Sequence, residues 1–200
     1  NKVSTTVKIL VLSFFLAGQA QSSDLIPDGD FTAGIAGWHL VGRGSLAHTT
    51  EGNSSAGALR IDGGLAGGRT QAIAGYCVTA IVPGQKVSLA ASFDVISGSP
   101  SSCRIAVFES ERSDCRWIRL GSEARRIFMS PTWNQISLAN FVAGPATRSL
   151  ELRLHCAAAE GNTDPLAVAF DDIHLSPAED FIFADDFESQ GTDRWSSAVP

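Results

Sequence analysis

Few residues in this sequence carry reactive chemistry. Cys77, Cys103, Cys115 and Cys156 are even in number, contain no Cys-x-x-Cys and match no common zinc spacing, so two disulfides are expected. His39, His48, His155 and His174 share no metal-ligand spacing. Asp171 and Asp172 are adjacent, and neighbours on a strand project to opposite faces, which is no catalytic pair. A glycosidase needs two carboxylates converging from different strands, and spacing nominates none. Gly-x-Ser-x-Gly, His-Glu-x-x-His, P-loop and Rossmann glycine patterns do not occur. The expectation is a protein that binds rather than catalyses.

The elements that must position these side chains follow a period of two. Lys86–Ile96 places Val87, Leu89, Ala91, Phe93 and Val95 on one face, with Ser88, Ser92 and Asp94 on the other. Ser149–Cys156 sets Leu150, Leu152, Leu154 and Cys156 against Glu151, Arg153 and His155, and Cys103–Phe108 puts Cys103, Ile105 and Val107 together. Weaker strands are expected over 38–41, 58–61, 70–81 with a bulge at Gly75, 115–120, 133–142 and 166–175. Residues 98–102 are expected as a loop. No segment beyond the N-terminal run has a helical period. Short one-faced strands of this kind bury their apolar sides as an all-β antiparallel sandwich. Within it Cys103 opens one strand and Cys156 closes another, both on the apolar face. This favours Cys103–Cys156 with Cys77–Cys115, the other two connectivities remaining open.

Composition agrees. Apolar residues are 44% and charged residues 18%, enough for a core, and nineteen Gly with eight Pro suit a turn-rich chain. The net charge of −6 argues against a broadly basic nucleic-acid binder. Residues 1–20 have the pattern of a secretory signal peptide: Lys2 and Lys8, an apolar run from Ile9 to Ala17, then Gly18-Gln19-Ala20. That run is too short to cross a bilayer, so no membrane insertion is expected after cleavage. The expected organisation is a signal at 1–20, a sandwich domain over 21–177, and an acidic tail over 178–200. The tail carries Glu179, Asp180, Asp185, Asp186, Glu188 and Asp193 against Arg194.

Leu25-Ile-Pro-Asp-Gly-Asp-Phe31 followed by Gly37-Trp38 resembles the opening of jelly-roll carbohydrate-binding modules of the galactose-binding-like superfamily. Ala58-Leu-Arg-Ile61, Val82-Pro-Gly84, Thr132-Trp133 and the closing Ala169-Phe-Asp-Asp-Ile-His-Leu175 follow in the same order, covering residues 25–176. The segment Phe181–Ser189 also resembles a short acidic C-terminal signature of exported Gram-negative bacterial proteins. The first resemblance implies a jelly roll whose concave sheet binds a polysaccharide or cell-surface glycan. It nominates Gln71, Arg104, Phe108, Trp117, Arg119, Glu151, Arg153 and His155 as ligand contacts. Trp117 is prominent because Ile118 and Leu120 claim the core side of its strand, leaving the indole outward beside Arg119. Trp38 is expected in the core.

The resemblance also implies a structural calcium ion held by Asp30, Asp171 and Asp172, although Thr32 stands where the family has Glu. It further implies a secreted or cell-surface location, the periplasm included. The alternative function is a structural or adhesive surface module with no sugar ligand.

Overall fold

The structure is a computed structural model, and it describes residues 24–178 apart from 55, 80, 128 and 129. The expected signal at 1–20 and all of the tail beyond Ala178 lie outside the described residues. Ten strands follow in order: β1 (Trp38–Leu40), β2 (Gly44–Thr49), β3 (Ala58–Ala66), β4 (Arg69–Val78), β5 (Lys86–Ser97), β6 (Pro100–Ser110), β7 (Arg119–Arg126), β8 (Asn134–Val142), β9 (Ser149–Ala158) and β10 (Ala167–Pro177). Among the described residues there is no helix.

The strands make two antiparallel layers. One runs β7-β6-β9-β4, with β1 and the end of β3 both paired to β4. The other runs β8-β5-β10-β3-β2. β3 belongs to both: residues 59–62 pair with β10 and residues 64–66 with β4. The crossing falls at Gly63-Gly64, where backbones approach too closely for a side chain. A Cβ at Gly64 would lie 2.6 Å from Arg43, and one at Gly63 would lie 2.9 Å from the Gln71 carbonyl oxygen.

The alternation of β5, β6 and β9 fills the space between the layers. Leu89, Phe93, Cys103, Ile105, Val107, Leu150, Leu152, Leu154 and Cys156 are all buried. They meet Leu59, Ile61, Phe170 and Leu175 from the facing layer in one continuous core. Trp38 is part of it, with its ring 5.8 Å from Phe31 and 5.1 Å from Tyr76. Cys103 and Cys156 are directly opposed on β6 and β9 and bonded within the core. Cys77 is bonded to Cys115, which ties the β6–β7 connection to the end of β4.

Several local expectations are corrected. Residues 100–102 are strand, because their pairing with Ala157 and Ala158 outweighs a Ser- and Pro-rich sequence. Gly75 marks no bulge: its pairing runs in register through β1 and β9, and the absent side chain makes room for His39, whose Nε2 would lie 2.7 Å from a Cβ there. Residues 115–118 precede β7 rather than belonging to it. Asp171 and Asp172 do not obey simple alternation, since the β10–β5 pairing shifts between Asp171 and His174 and Asp172 is left-handed at φ 49°.

Candidate glycan-binding face

Alternation on β9 that buries Leu150, Leu152 and Leu154 must turn Glu151, Arg153 and His155 to the outer face of the first layer. Register carries that face across its neighbours. His155 is opposite Ile73 on β4 and Arg104 on β6, and Arg104 is opposite Arg125 on β7. The next row is Gly75, Arg153, Ala106 and Glu123; the one beyond is Cys77, Glu151, Phe108 and Leu120. Gln71 lies two residues before Ile73 on β4 and shares the face. Six of the sequence-nominated residues, Gln71, Arg104, Phe108, Glu151, Arg153 and His155, are therefore brought together.

Their contacts are specific. The Arg153 guanidinium lies 4.4 Å from the centre of the Phe108 ring, a cation–π arrangement, and donates to Glu151 at 2.8 Å. Arg104 donates to Glu123 at 2.7 Å and, through Nε, to His155 Nδ1 at 2.8 Å. Gln71 donates to the Ala66 carbonyl. Glu151 and His155 are buried despite lying on the outer face. Burial holds the His155 imidazole well below its ordinary value, at about 4, and the positive charges of Arg104, Arg69, Arg125 and Arg153 push the same way.

Trp117 and Arg119 are placed differently from the expectation. The β6–β7 pairing slips by one residue between Val107 and Phe108, which reverses the phase of β7's first residues. Leu120, expected inside, is 53% exposed on the outer face. Arg119 is paired with Glu109 on the core-facing side, at 3.2 Å. Trp117 lies ahead of the strand with φ 59°, in a turn where Cys115 is also left-handed, and its side chain is 87% exposed. It lines a cavity of about 270 Å³ with Glu109, Arg112, Arg119 and Thr147 at the far end of β6. The expected outward Trp is present, but turn geometry rather than strand phase puts it there.

The three acids nominated for calcium accept hydrogen bonds from different neighbours, although the backbone N–H of Ile173 donates to the Gly29 carbonyl and so joins the segments that carry them. Asp30 accepts from the backbone N–H and hydroxyl of Thr32, which holds its carboxyl below the usual carboxylate range. Asp171 accepts the Asn53 backbone N–H at 2.7 Å and the Asp172 N–H at 2.7 Å, while Asp172 accepts the Asn53 amide at 2.7 Å and the Ser54 hydroxyl. Burial pushes the Asp171 carboxyl up. Among the described residues no group of three or more His, Cys, Asp or Glu side chains is arranged to hold a metal ion.

Sequence reasoning missed Arg69 and Arg125. Both lie in register with nominated residues, Arg125 opposite Arg104 and Arg69 two residues before Gln71. The Arg125-Arg126 pair is the available signal, but it lies beyond residue 120, where the strand expected from sequence ends.

No protein-family model matches this sequence, and no curated protein matches it. Solved structures do match its fold. The enzymatically active domain of tailspike protein 4 from bacteriophage CBA120 superposes with a TM-score of 0.57 at 12% identity, over 78% of this chain. The chain spans only 21% of that tailspike chain. The CBM22-2 xylan-binding domain of Paenibacillus barcinonensis Xyn10C has a TM-score of 0.56 at 16% identity, over 75% of this chain and 98% of its own. TmCBM61, solved with β-1,4-galactotriose, has a TM-score of 0.52 at 12% identity, over 78% of this chain and all of its own. The fold is that of carbohydrate-binding modules, a jelly-roll β-sandwich.

Proposed function

We propose that this chain is a carbohydrate-binding module that holds a glycan on the outer face of the β7-β6-β9-β4 layer and leaves it chemically unchanged. The observation that carries the reading is the single-face register of Gln71, His155, Arg104, Arg153, Phe108 and Leu120. Sugar recognition needs an apolar surface for the ring's C–H face and fixed polar groups for its hydroxyls. Phe108 and Leu120 offer the first, and the amide of Gln71 with the arginines offers the second. Trp117 stands beyond the same end of β6, about 20 Å from Arg104 at the rise of a strand. A chain of several sugar units laid along β6 would reach both.

Binding without turnover suits the state of the carboxylates on this face. Glu151 is committed to Arg153 and Glu123 to Arg104, which leaves neither poised as an acid–base partner. The modular neighbours support the same reading. Two disulfides suit an oxidising compartment outside the cytoplasm.

The test is retention of the full chain on a panel of soluble and insoluble polysaccharides. Leu120→Glu plants a carboxylate on the face at a half-exposed site, so retention is expected to fall while the melting temperature holds. If the unaltered chain is retained on no glycan, the reading fails and a spacer or adhesive role takes its place.

A further inference from the structure

At the β6 start, the same face closes into a cavity of about 190 Å³ lined by Arg69, Ser102, Arg104, Arg125 and His155. Its charge is opposite to that of the whole chain. Arg104 is neutralised by Glu123, but among the described residues neither Arg69 nor Arg125 has a carboxylate partner. Three guanidinium groups converging on one small cavity repel each other unless an anion joins them.

His155 adds a second, independent sign. Its Nδ1 accepts from Arg104, so the neutral ring carries its proton on Nε2. That Nε2 is shielded from solvent and has no hydrogen-bond partner; it is the only buried side-chain nitrogen or oxygen among the described residues in that state. A buried N–H without an acceptor is destabilising. An incoming oxygen would satisfy it.

We infer that this cavity receives the carboxylate of an acidic sugar, so that the glycan bound on this face contains hexuronate units. The inference rests on the glycan-binding reading above and names the class of glycan. Arg69 and Arg125 supply planar forks that match the two oxygens of a carboxylate, and His155 Nε2 supplies the inner donor. The Arg104–Glu123 pair already shows a carboxylate of this kind accommodated at the cavity's edge. The sugar ring would then extend along β6 toward Arg153 and Phe108.

Calorimetric titration of the full chain with oligogalacturonate, a neutral β-1,4-galacto-oligosaccharide of equal length, and a sulfated oligosaccharide tests this. Oligogalacturonate is expected to bind about tenfold or more tightly than the neutral chain, an advantage that shrinks with added salt. The double variant Arg69→Gln with Arg125→Gln, at positions outside the core, is expected to lose that advantage while keeping its melting temperature, and a double variant that keeps the full preference for oligogalacturonate overturns the site. Equal affinity for charged and neutral chains overturns the carboxylate site and leaves the glycan-binding reading standing. Tighter binding of the sulfated probe than of oligogalacturonate overturns the carboxylate assignment. Binding of none of the three overturns the carboxylate site, and retention on the polysaccharide panel decides the glycan-binding reading separately.

Discussion

Arg104 donates its Nε proton to Nδ1 of His155 across the β6–β9 register, at 2.8 Å. The bond fixes an imidazole as a neutral acceptor on a face where four arginines disfavour its charging. It also makes the ring a reporter of that face, because protonation must break the bond and place a cation beside Arg104.

Stability is therefore expected to depend on pH through His155. The imidazole titrates at about 4 in the folded chain and near 6.5 when unfolded. The unfolded state binds the extra proton over that interval, so stability falls as pH drops from about 6.5 to 4 and this contribution then levels off. The loss is on the order of 3 kcal/mol. Asp171, whose carboxyl burial raises, works in the opposite sense at the acidic end. Comparing melting curves of the unaltered chain and His155→Gln isolates the histidine, and a variant with the same pH slope would rule out this account.

Trp117→Ala is expected to separate binding from folding. The side chain is 87% exposed and outside the core, so its removal should change stability by about 0.5 kcal/mol or less. Its loss from the β6 end of the glycan face should weaken retention on polysaccharide. A fall of several degrees in melting temperature would mean that the indole packs as structure, and unchanged retention would remove it from the binding face.

What the sequence made legible follows the strength of alternation. The polarity of β5, β6 and β9 alternates cleanly along the sequence, so their phase is visible, and with it the placement of Arg104, Glu151, Arg153 and His155 on one side, whereas Gln71 on β4 is nominated only by the family resemblance. The same phase favours the Cys103–Cys156 pairing that the structure shows, without excluding the other connectivities. β2 was invisible because residues 44–49 pair with β3 while none of their side chains is fully buried, leaving no polarity rhythm to detect. The phase of β7 was lost to a one-residue slip and two left-handed residues, and such features leave little trace in residue types. That slip also puts Arg119 on the side opposite to the one its sequence phase implies, whereas Arg125 lies beyond residue 120, where the strand expected from sequence ends.

The two disulfides are expected to differ in what their loss does. They close sequence separations of 38 and 53 residues, and each contributes about 4 kcal/mol in the chain-entropy model. The Cys103→Ala, Cys156→Ala pair should lower the melting temperature with little change in the affinity of the molecules that stay folded. The Cys77→Ser, Cys115→Ser pair should lower it as well, and should also weaken glycan retention because Cys115 anchors the turn that carries Trp117. Equal retention in the two double variants at a temperature where both are folded would show that the turn holds its place without the bridge.

Chelation tests the three aspartates nominated for calcium. Asp171 and Asp172 spend their oxygens on Asn53 and Ser54, and Asp30 on Thr32. The fold therefore meets the charge of these carboxylates with N–H and O–H donors from its own chain. A chelator is expected to leave the melting temperature unchanged, and added calcium is expected not to raise it. Asp171→Asn should destabilise by about 1–3 kcal/mol whether or not calcium is present, because the fully buried side chain loses a charged acceptor for two backbone N–H groups. A melting temperature that rises with calcium in the unaltered chain, but not in Asp171→Asn, would instead give these aspartates a cation to share.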